Sequence, residues 1–351
     1  MATTLQTAVI STSNPDLAAQ LSALLHAAAI APLDSTGWIR VTGEDRVRWL
    51  NGMVTNAIQT LAPGEGCYNL VLNAQGRIQG DLTAFMLADS IFLETSRDQV
   101  PALLAHLDHF IIMDDVELTD TTENPHGILL AGPQAASILH GLKIIVPPSL
   151  LSSPTLTDHV WLRGPTDGFA FRIATTYSPL IPRFEIWSFN DAAIAAVTEK
   201  VTAAGAKFVS PEALEHLRLL EGTPRYGTDI RNTATAHDLP QETAQTRTLH
   251  FSKGCYLGQE IVERIRSRGN VHRTFAGFQL TGALPTPGTA LTAESFPRPV
   301  GELTSVAAIP LPTGPIQLAL GYIRREALER KLPLEYPGGT ATPIALPFAI
   351  S

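Results

Sequence analysis

Stretches with strand character and stretches with helical character follow one another in this chain without a regular strand–helix–strand beat. That irregular order is the strongest constraint on the fold. Strict alternation builds parallel sheets wrapped by helices, and its absence predicts an α+β fold. Ser13-Asn14-Pro15 has the capping side chain and proline of a helix start, followed by Leu17, Leu21, Leu24 and Leu25 at helical spacing. Trp38 to Val41 reads as a strand, and a turn at Thr42–Asp45 leads into a helix through Val47, Leu50 and Met53. Tyr68 to Leu72 and Ile78 to Leu87 read as paired strands joined by the turn Asn73-Ala74-Gln75-Gly76. Leu103, Leu104 and Leu107 share one face of a helix over 100–110. Gly127 to Leu130 reads as a strand, and Gly132-Pro133 opens a helix through Ile138. Pro147, Pro148 and Pro154 mark a connector. Phe169–Thr175 and Arg183–Phe189 then read as strands, and Asp191–Ala204 and Pro211–Leu220 as helices.

After Arg273 the texture changes. Prolines and glycines punctuate short apolar runs such as Phe275–Leu280 and Gln317–Ile323, as in a small all-β barrel or sandwich. We therefore divide the chain into residues 1–272 and 273–351. With 351 residues, 44% of them hydrophobic and 17% charged, it has ample material for a core, and disorder is excluded. A net charge of −8 makes it a poor non-specific binder of nucleic acid. Two cysteines, Cys67 and Cys255, cannot build a disulfide framework or a four-cysteine metal site within one chain. The first thirty residues hold no Lys or Arg, against the signal- and transit-peptide patterns, and no apolar run is long enough to span a bilayer. The expectation is a soluble, cytoplasmic protein with no membrane or direct nucleic-acid partner.

The densest chemistry lies in Lys253-Gly254-Cys255-Tyr256-Leu257-Gly258-Gln259-Glu260. Ile261, Val262 and Ile265 after it make a helical face, with Glu260 and Arg264 spaced for an i, i+4 ion pair. Cys255 then precedes a helix N-terminus with Lys253 close by, and both features lower a thiol pKa. It is either a reactive or ligand thiolate or a small cysteine filling a turn. Arg247, Lys253, Arg264, Arg266, Arg268 and Arg273 outnumber Glu260 and Glu263, making either an anion-attracting patch or a solvated helix face. Asp81 follows the predicted strand turn. It is either a pocket carboxylate that holds ring nitrogens or acts as a base, or a strand-edge residue paired with Arg77. His106 and His109 lack an acidic partner at metal-site spacing and are ordinary surface or core residues, so no metal is expected.

The run Lys253–Glu260 resembles the K-G-C-Y-x-G-Q-E signature of the YgfZ family, folate-binding relatives of the glycine-cleavage T-protein that include a mitochondrial iron–sulfur assembly homologue. The likeness extends to residues 41–52, 72–77, Glu221–Gly227 and Leu239–Glu242. It implies a T-protein-like multi-domain ring of α+β subdomains with a C-terminal β-barrel. It implies tetrahydrofolate, or another reduced folate, as cofactor, and iron–sulfur client or assembly proteins as partners. It also implies effects on tRNA modification. Candidate folate contacts are Tyr68, Asp81, Glu221, Lys253, Tyr256, Gln259 and Arg264, and candidate reacting groups are Cys255 and Asp81.

Two departures separate the chain from the T-proteins. Those carry adjacent acids where Gly80-Asp81 stands here, and an acid two residues before the glycine matching Gly222. Here that place is Leu220, and Glu221 is rotated by about 100° along a helix. Three readings follow: a folate-dependent assembly or repair factor for iron–sulfur proteins, a tetrahydrofolate-dependent aminomethyl transferase, or a scaffold without ligand.

Overall fold

A computed structural model describes residues 15–144, 157–163, 170–233, 238–269, 271–294 and 296–350. Ser13, Asn14, Phe169 and the three connector prolines lie outside them. The described residues form two compact units, one made of those within Ala23–Val209 and Arg225–Val271 and the other of those within Met1–Ser22, Ser210–Pro224 and His272–Ser351.

The larger unit is built on one sheet of eleven strands. Its members are β1 (Ala29–Pro32), β2 (Thr36–Thr42), β3 (Glu65–Leu72), β4 (Ile78–Met86), β5 (Ile91–Ser96), β6 (Glu117–Asp120), β7 (His126–Ala131), β8 (Thr157–Arg163), β9 (Ala170–Thr175), β10 (Arg183–Ser188) and β11 (Lys207–Phe208). Their order is β11-β1-β7-β10-β9-β8-β3-β4-β5-β2-β6, and every pairing except β1–β11 is antiparallel. Strand alternation gives each half of the sheet an apolar outer face. Val71, Leu82, Ala84 and Leu93 pack against Trp49 and Leu50 of α2 (Arg46–Met53) and Leu103 and Leu107 of α3 (Val100–Asp108). Ile128, Leu130, Phe184 and Ile186 pack against α4 (Ala135–Gly141) and α5 (Asp191–Ala203).

The inner faces of the two halves meet at Trp38 and Trp187, whose ring centroids lie 4.3 Å apart among Phe85, Phe92 and Ala174. At the turn between β3 and β4, the Asn73 side chain accepts from the amides of Gln75 and Arg77, both at 3.0 Å, so the short loop needs no outside support.

In the smaller unit, α6 (Pro211–Glu221) starts where the Ser210 hydroxyl accepts from the Ala213 amide and ends at Gly222 in the left-handed region. The predicted C-terminal barrel is a nearly closed sheet of six strands: β12 (Arg273–Gly282), β13 (Ala290–Leu291), β14 (Gly301–Leu311), β15 (Gly314–Arg324), β16 (Leu334–Tyr336) and β17 (Gly339–Ile344). The order is β13-β14-β15-β12-β17-β16, and Thr292 and Glu335 exchange both backbone hydrogen bonds across the seam.

His216 of α6 is fully buried, and neither ring nitrogen has a hydrogen-bond partner among the described residues. Desolvation lowers its pKa below 6.5 against the pull of Glu212 and Glu215. A histidine neutral in the fold takes up its proton on unfolding, so stability falls as pH drops through the unfolded value. Urea titrations of His216→Leu should show a flatter acid limb, the difference growing by up to about 1.4 kcal/mol per pH unit. Identical limbs would mean that another group governs the acid side.

Candidate functional site

The inner face of the larger unit carries polar side chains where an ordinary sheet would carry aliphatic ones. Tyr68 on β3 faces Thr83 on β4, and Asp81 lies two residues away on the same face. The Tyr68 hydroxyl donates to one Asp81 oxygen at 2.5 Å, and the Gln99 amide donates to the other at 2.8 Å. Gln99 is itself held by its bonds to the Ser96 hydroxyl and the Asp81 amide, so the carboxyl group is fixed in orientation. Arg247 stacks on Tyr68 at 4.4 Å and on Tyr177 at 3.9 Å. Tyr68, Asp81, Tyr177 and Arg247 are all partly accessible, so solvent reaches this polar cluster.

Desolvation raises the Asp81 pKa, although Tyr68, Gln99 and Arg247 all pull it down. The same desolvation, with the Asp81 charge, pushes the Tyr68 phenol well above its ordinary value. Arg247 is pulled down by burial and held up by Tyr68, Tyr177 and Asp81. The site thus offers a carboxyl group that keeps its proton to higher pH than a surface acid, beside flat rings and a cation. The Asp81 oxygens are taken by Tyr68 and Gln99 on the inner face rather than by Arg77.

Two more acids lie on the same inner faces. Glu94 on β5 faces Thr83, and desolvation, with the neighbouring Glu185 on β10, pushes its pKa well above the ordinary carboxylate range. Sequence reasoning passed over Gln99, Tyr177, Glu94 and Glu185. The signal for the last two is a charged residue alternating with aliphatic ones, as in Ile91-Phe92-Leu93-Glu94 and Phe184-Glu185-Ile186. Beyond the Trp38–Trp187 contact a cleft of about 670 Å³ opens, lined by Arg40, Asp89, Phe92, Arg172 and Phe189 among others. Arg172 stacks there on Phe92 and Trp187 at 4.9 and 4.7 Å.

The segment containing Cys255 rests on the β3–β4 hairpin. Tyr256 and Val262 pack on Leu70, Leu72 and Ile78, so Tyr256 belongs to a core cluster. Cys255 is exposed, ahead of the helix α7 (Gln259–Arg268). The Lys253 ammonium donates to the carbonyls of Val54, at 2.6 Å, and Asn56, and lies 5.1 Å from the Tyr256 ring. Burial brings Lys253 down to about 8. The thiol coupled to it is Cys67, which burial pushes up to about 11 against the Asn69 hydrogen bond and Lys253. Gln259 opens α7, and Glu260 and Arg264 form the predicted ion pair on its exposed surface. Glu221 is buried at the end of α6 in the other unit.

Among the described residues, no group of three or more His, Cys, Asp or Glu side chains is placed to hold a metal ion, and no helix is long and apolar enough to cross a membrane.

Residues 10–244 match the GCVT N-terminal domain family. An aminomethyltransferase of Chlorobium chlorochromatii is 30% identical over 282 residues, covering 78% of this chain and 73% of that protein. One from Thermus thermophilus is 28% identical over 331 residues, covering 92% and 87%. The crystal structure of the glycine cleavage system aminomethyltransferase T from Bartonella henselae superposes with a TM-score of 0.78 at 20% identity, over 95% of this chain and 89% of that one, and so shares the fold. With two thirds of its length inside that match and aminomethyltransferases among its relatives, the chain belongs to the GCVT N-terminal domain family.

Proposed function

We propose that this protein binds a tetrahydrofolate on the inner face of its larger unit and serves in the assembly or repair of iron–sulfur proteins, as a member of the YgfZ branch of the family. The observation that carries the folate reading is the Asp81 carboxyl, held by Tyr68 and Gln99 beside the Arg247 guanidinium. These residues fit the group. A reduced pterin presents N–H donors to a carboxylate and a flat ring to Tyr68 and Tyr177, and its glutamate tail carries anionic carboxylates that suit Arg247. When bound, the folate supplies a carrier for one-carbon units. Asp81 would accept from its ring, the tyrosines would hold its plane, and Gln99 would keep the carboxyl oriented.

The iron–sulfur reading draws on the Lys253–Glu260 signature and on the exposure of Cys255, which leaves its thiol accessible to a partner. Aminomethyl transfer is the second reading. Asp81 favours it, because a carboxyl whose pKa desolvation has raised can take and return a proton during transfer.

Anaerobic calorimetric titration with tetrahydrofolate, bearing short and long glutamate tails, tests the first claim. Saturable binding that tightens with tail length is expected, and no binding overturns it. For the second claim, Cys255→Ala should fail to restore iron–sulfur enzyme activity in a deletion strain, and full restoration overturns the thiol's role. Formation of methylene-tetrahydrofolate from an aminomethyl donor would instead favour the transferase.

A further inference from the structure

The cleft beyond the Trp38–Trp187 contact lies away from Asp81. Asp81, Thr83 and Phe85 alternate along one face of β4, and Leu87 directly follows the strand's end. At about 3.3 Å per residue, Asp81 and Leu87 stand about 20 Å apart. Phe85 lies between them, packed with Trp38, Phe92 and Trp187. Leu87 lines the cleft, whose volume of about 670 Å³ is that of a small-molecule site. Arg172 of β9 also lines it and is only 3% exposed. Its guanidinium carbon lies over the rings of Trp187, Phe92 and Phe189, at 4.7, 4.9 and 5.9 Å, so the group is held in place. Desolvation lowers its pKa against the pull of Asp89, yet a guanidinium keeps its charge at neutral pH. Three exposed acids line the cleft as well. Glu123 pairs with Arg97 at 2.8 Å, an Asp120 oxygen accepts from the Thr122 amide at 2.9 Å, and Asp89 reaches Arg40 at 3.8 Å. Water screens such surface charges, whereas buried Arg172 is screened far less, so the charge that governs the inner wall is positive.

We propose that this cleft is a binding site for a small aromatic carboxylic acid, with the carboxylate on Arg172 and the ring against Phe189. The charge selects the head of the ligand. A planar guanidinium fixed by rings matches a carboxylate with two parallel hydrogen bonds. A neutral head brings a weaker acceptor, and a cationic one meets like charge. The rings select its body. Phe189 is 49% exposed and stands edge-on to Phe92 at 5.8 Å, so an incoming ring extends an aromatic cluster that already exists and takes Phe189 out of water. The site shares no residue with the Tyr68–Asp81–Gln99–Arg247 cluster and does not depend on the folate reading.

The test is a fluorine NMR titration of the full chain, without folate, using 6-fluoro-2-naphthoate and its carboxamide as probes. The acid should bind saturably with a Kd at or below about 1 mM, and the amide at least about tenfold more weakly. Arg172→Met keeps an apolar chain among the rings and should abolish the preference for the acid. Two exposed positions serve if that buried change unfolds the protein. Phe189→Ala should weaken both probes by about fivefold. Asp89→Asn removes an anion from the mouth of the cleft and should tighten the acid alone by about twofold. Asp81→Asn should change neither probe, because its carboxyl lies on the far side of the aromatic cluster. Absence of saturation, equal binding of acid and amide, or indifference to Phe189→Ala overturns the proposal. Loss of binding on Asp81→Asn also overturns it, by moving the probe to the Asp81 cluster. Failure of the chain to bind tetrahydrofolate in separate calorimetry overturns the folate reading alone and leaves this site standing.

Discussion

Replacing Gly258 by alanine should destabilise the larger unit by about 3 kcal/mol, against about 1 kcal/mol for the same change at Gly227. Both glycines sit at φ +83° and share the left-handed strain that an L side chain would feel. They differ in what a β-carbon meets. At Gly227 there is open space, whereas at Gly258 the new atom falls 2.6 Å from the Asn73 carbonyl oxygen. That oxygen cannot retreat, because it accepts the Gly76 amide at 2.9 Å inside the β3–β4 turn. Gly76 is tight in return, with Ile261 of α7 only 2.8 Å from its own missing β-carbon. The two glycines therefore let α7 lie directly on the hairpin, which seats Tyr256 and Val262 on Leu70, Leu72 and Ile78. Urea unfolding of the two variants checks this. Equal losses would mean that the close approach carries no weight.

That contact also shows why part of the design was legible in the sequence and part was not. The Asn73–Gly76 turn, the strands on either side of it and the Glu260–Arg264 pair all depend on neighbours a few residues away, and each was readable there. Asp81 was readable as a candidate because its place after the turn is local too. Its partner Gln99 arrives from the short 3-10 turn Arg97–Gln99 between β5 and α3, eighteen residues on, and Arg247 from far down the chain. Nothing in the spacing of those residues marks them. The pairing of Lys253 illustrates the cost of reading locally. Two residues from Cys255 it looked like that thiol's neighbour, yet the fold turns its ammonium onto the carbonyls of Val54 and Asn56 and couples it to Cys67. In the larger unit strands β1, β5, β6, β8 and β11 are not legible in the sequence either, because a strand is specified by the strands it pairs with more than by its own composition.

Asp81→Asn should weaken tetrahydrofolate binding by about 10- to 100-fold while leaving the urea midpoint nearly unchanged. An amide of the same shape keeps the strand and its packing. Tyr68 can turn its hydroxyl to accept, so few buried groups lose a partner. What disappears is the anionic acceptor, and hydrogen bonds to a charged group are the stronger kind, worth about 1.5 to 3 kcal/mol. Unchanged affinity would remove Asp81 from the site. The pH dependence adds a second sign to check. The carboxylate is the binding form, so affinity should fall as pH drops through the raised Asp81 pKa. Tyr68→Phe deletes one of the two donors that favour the ionised form and leaves desolvation less opposed. The acid limb of binding should therefore move to higher pH in Tyr68→Phe, whereas a ring that served only to stack would leave the limb in place and lower affinity evenly across it.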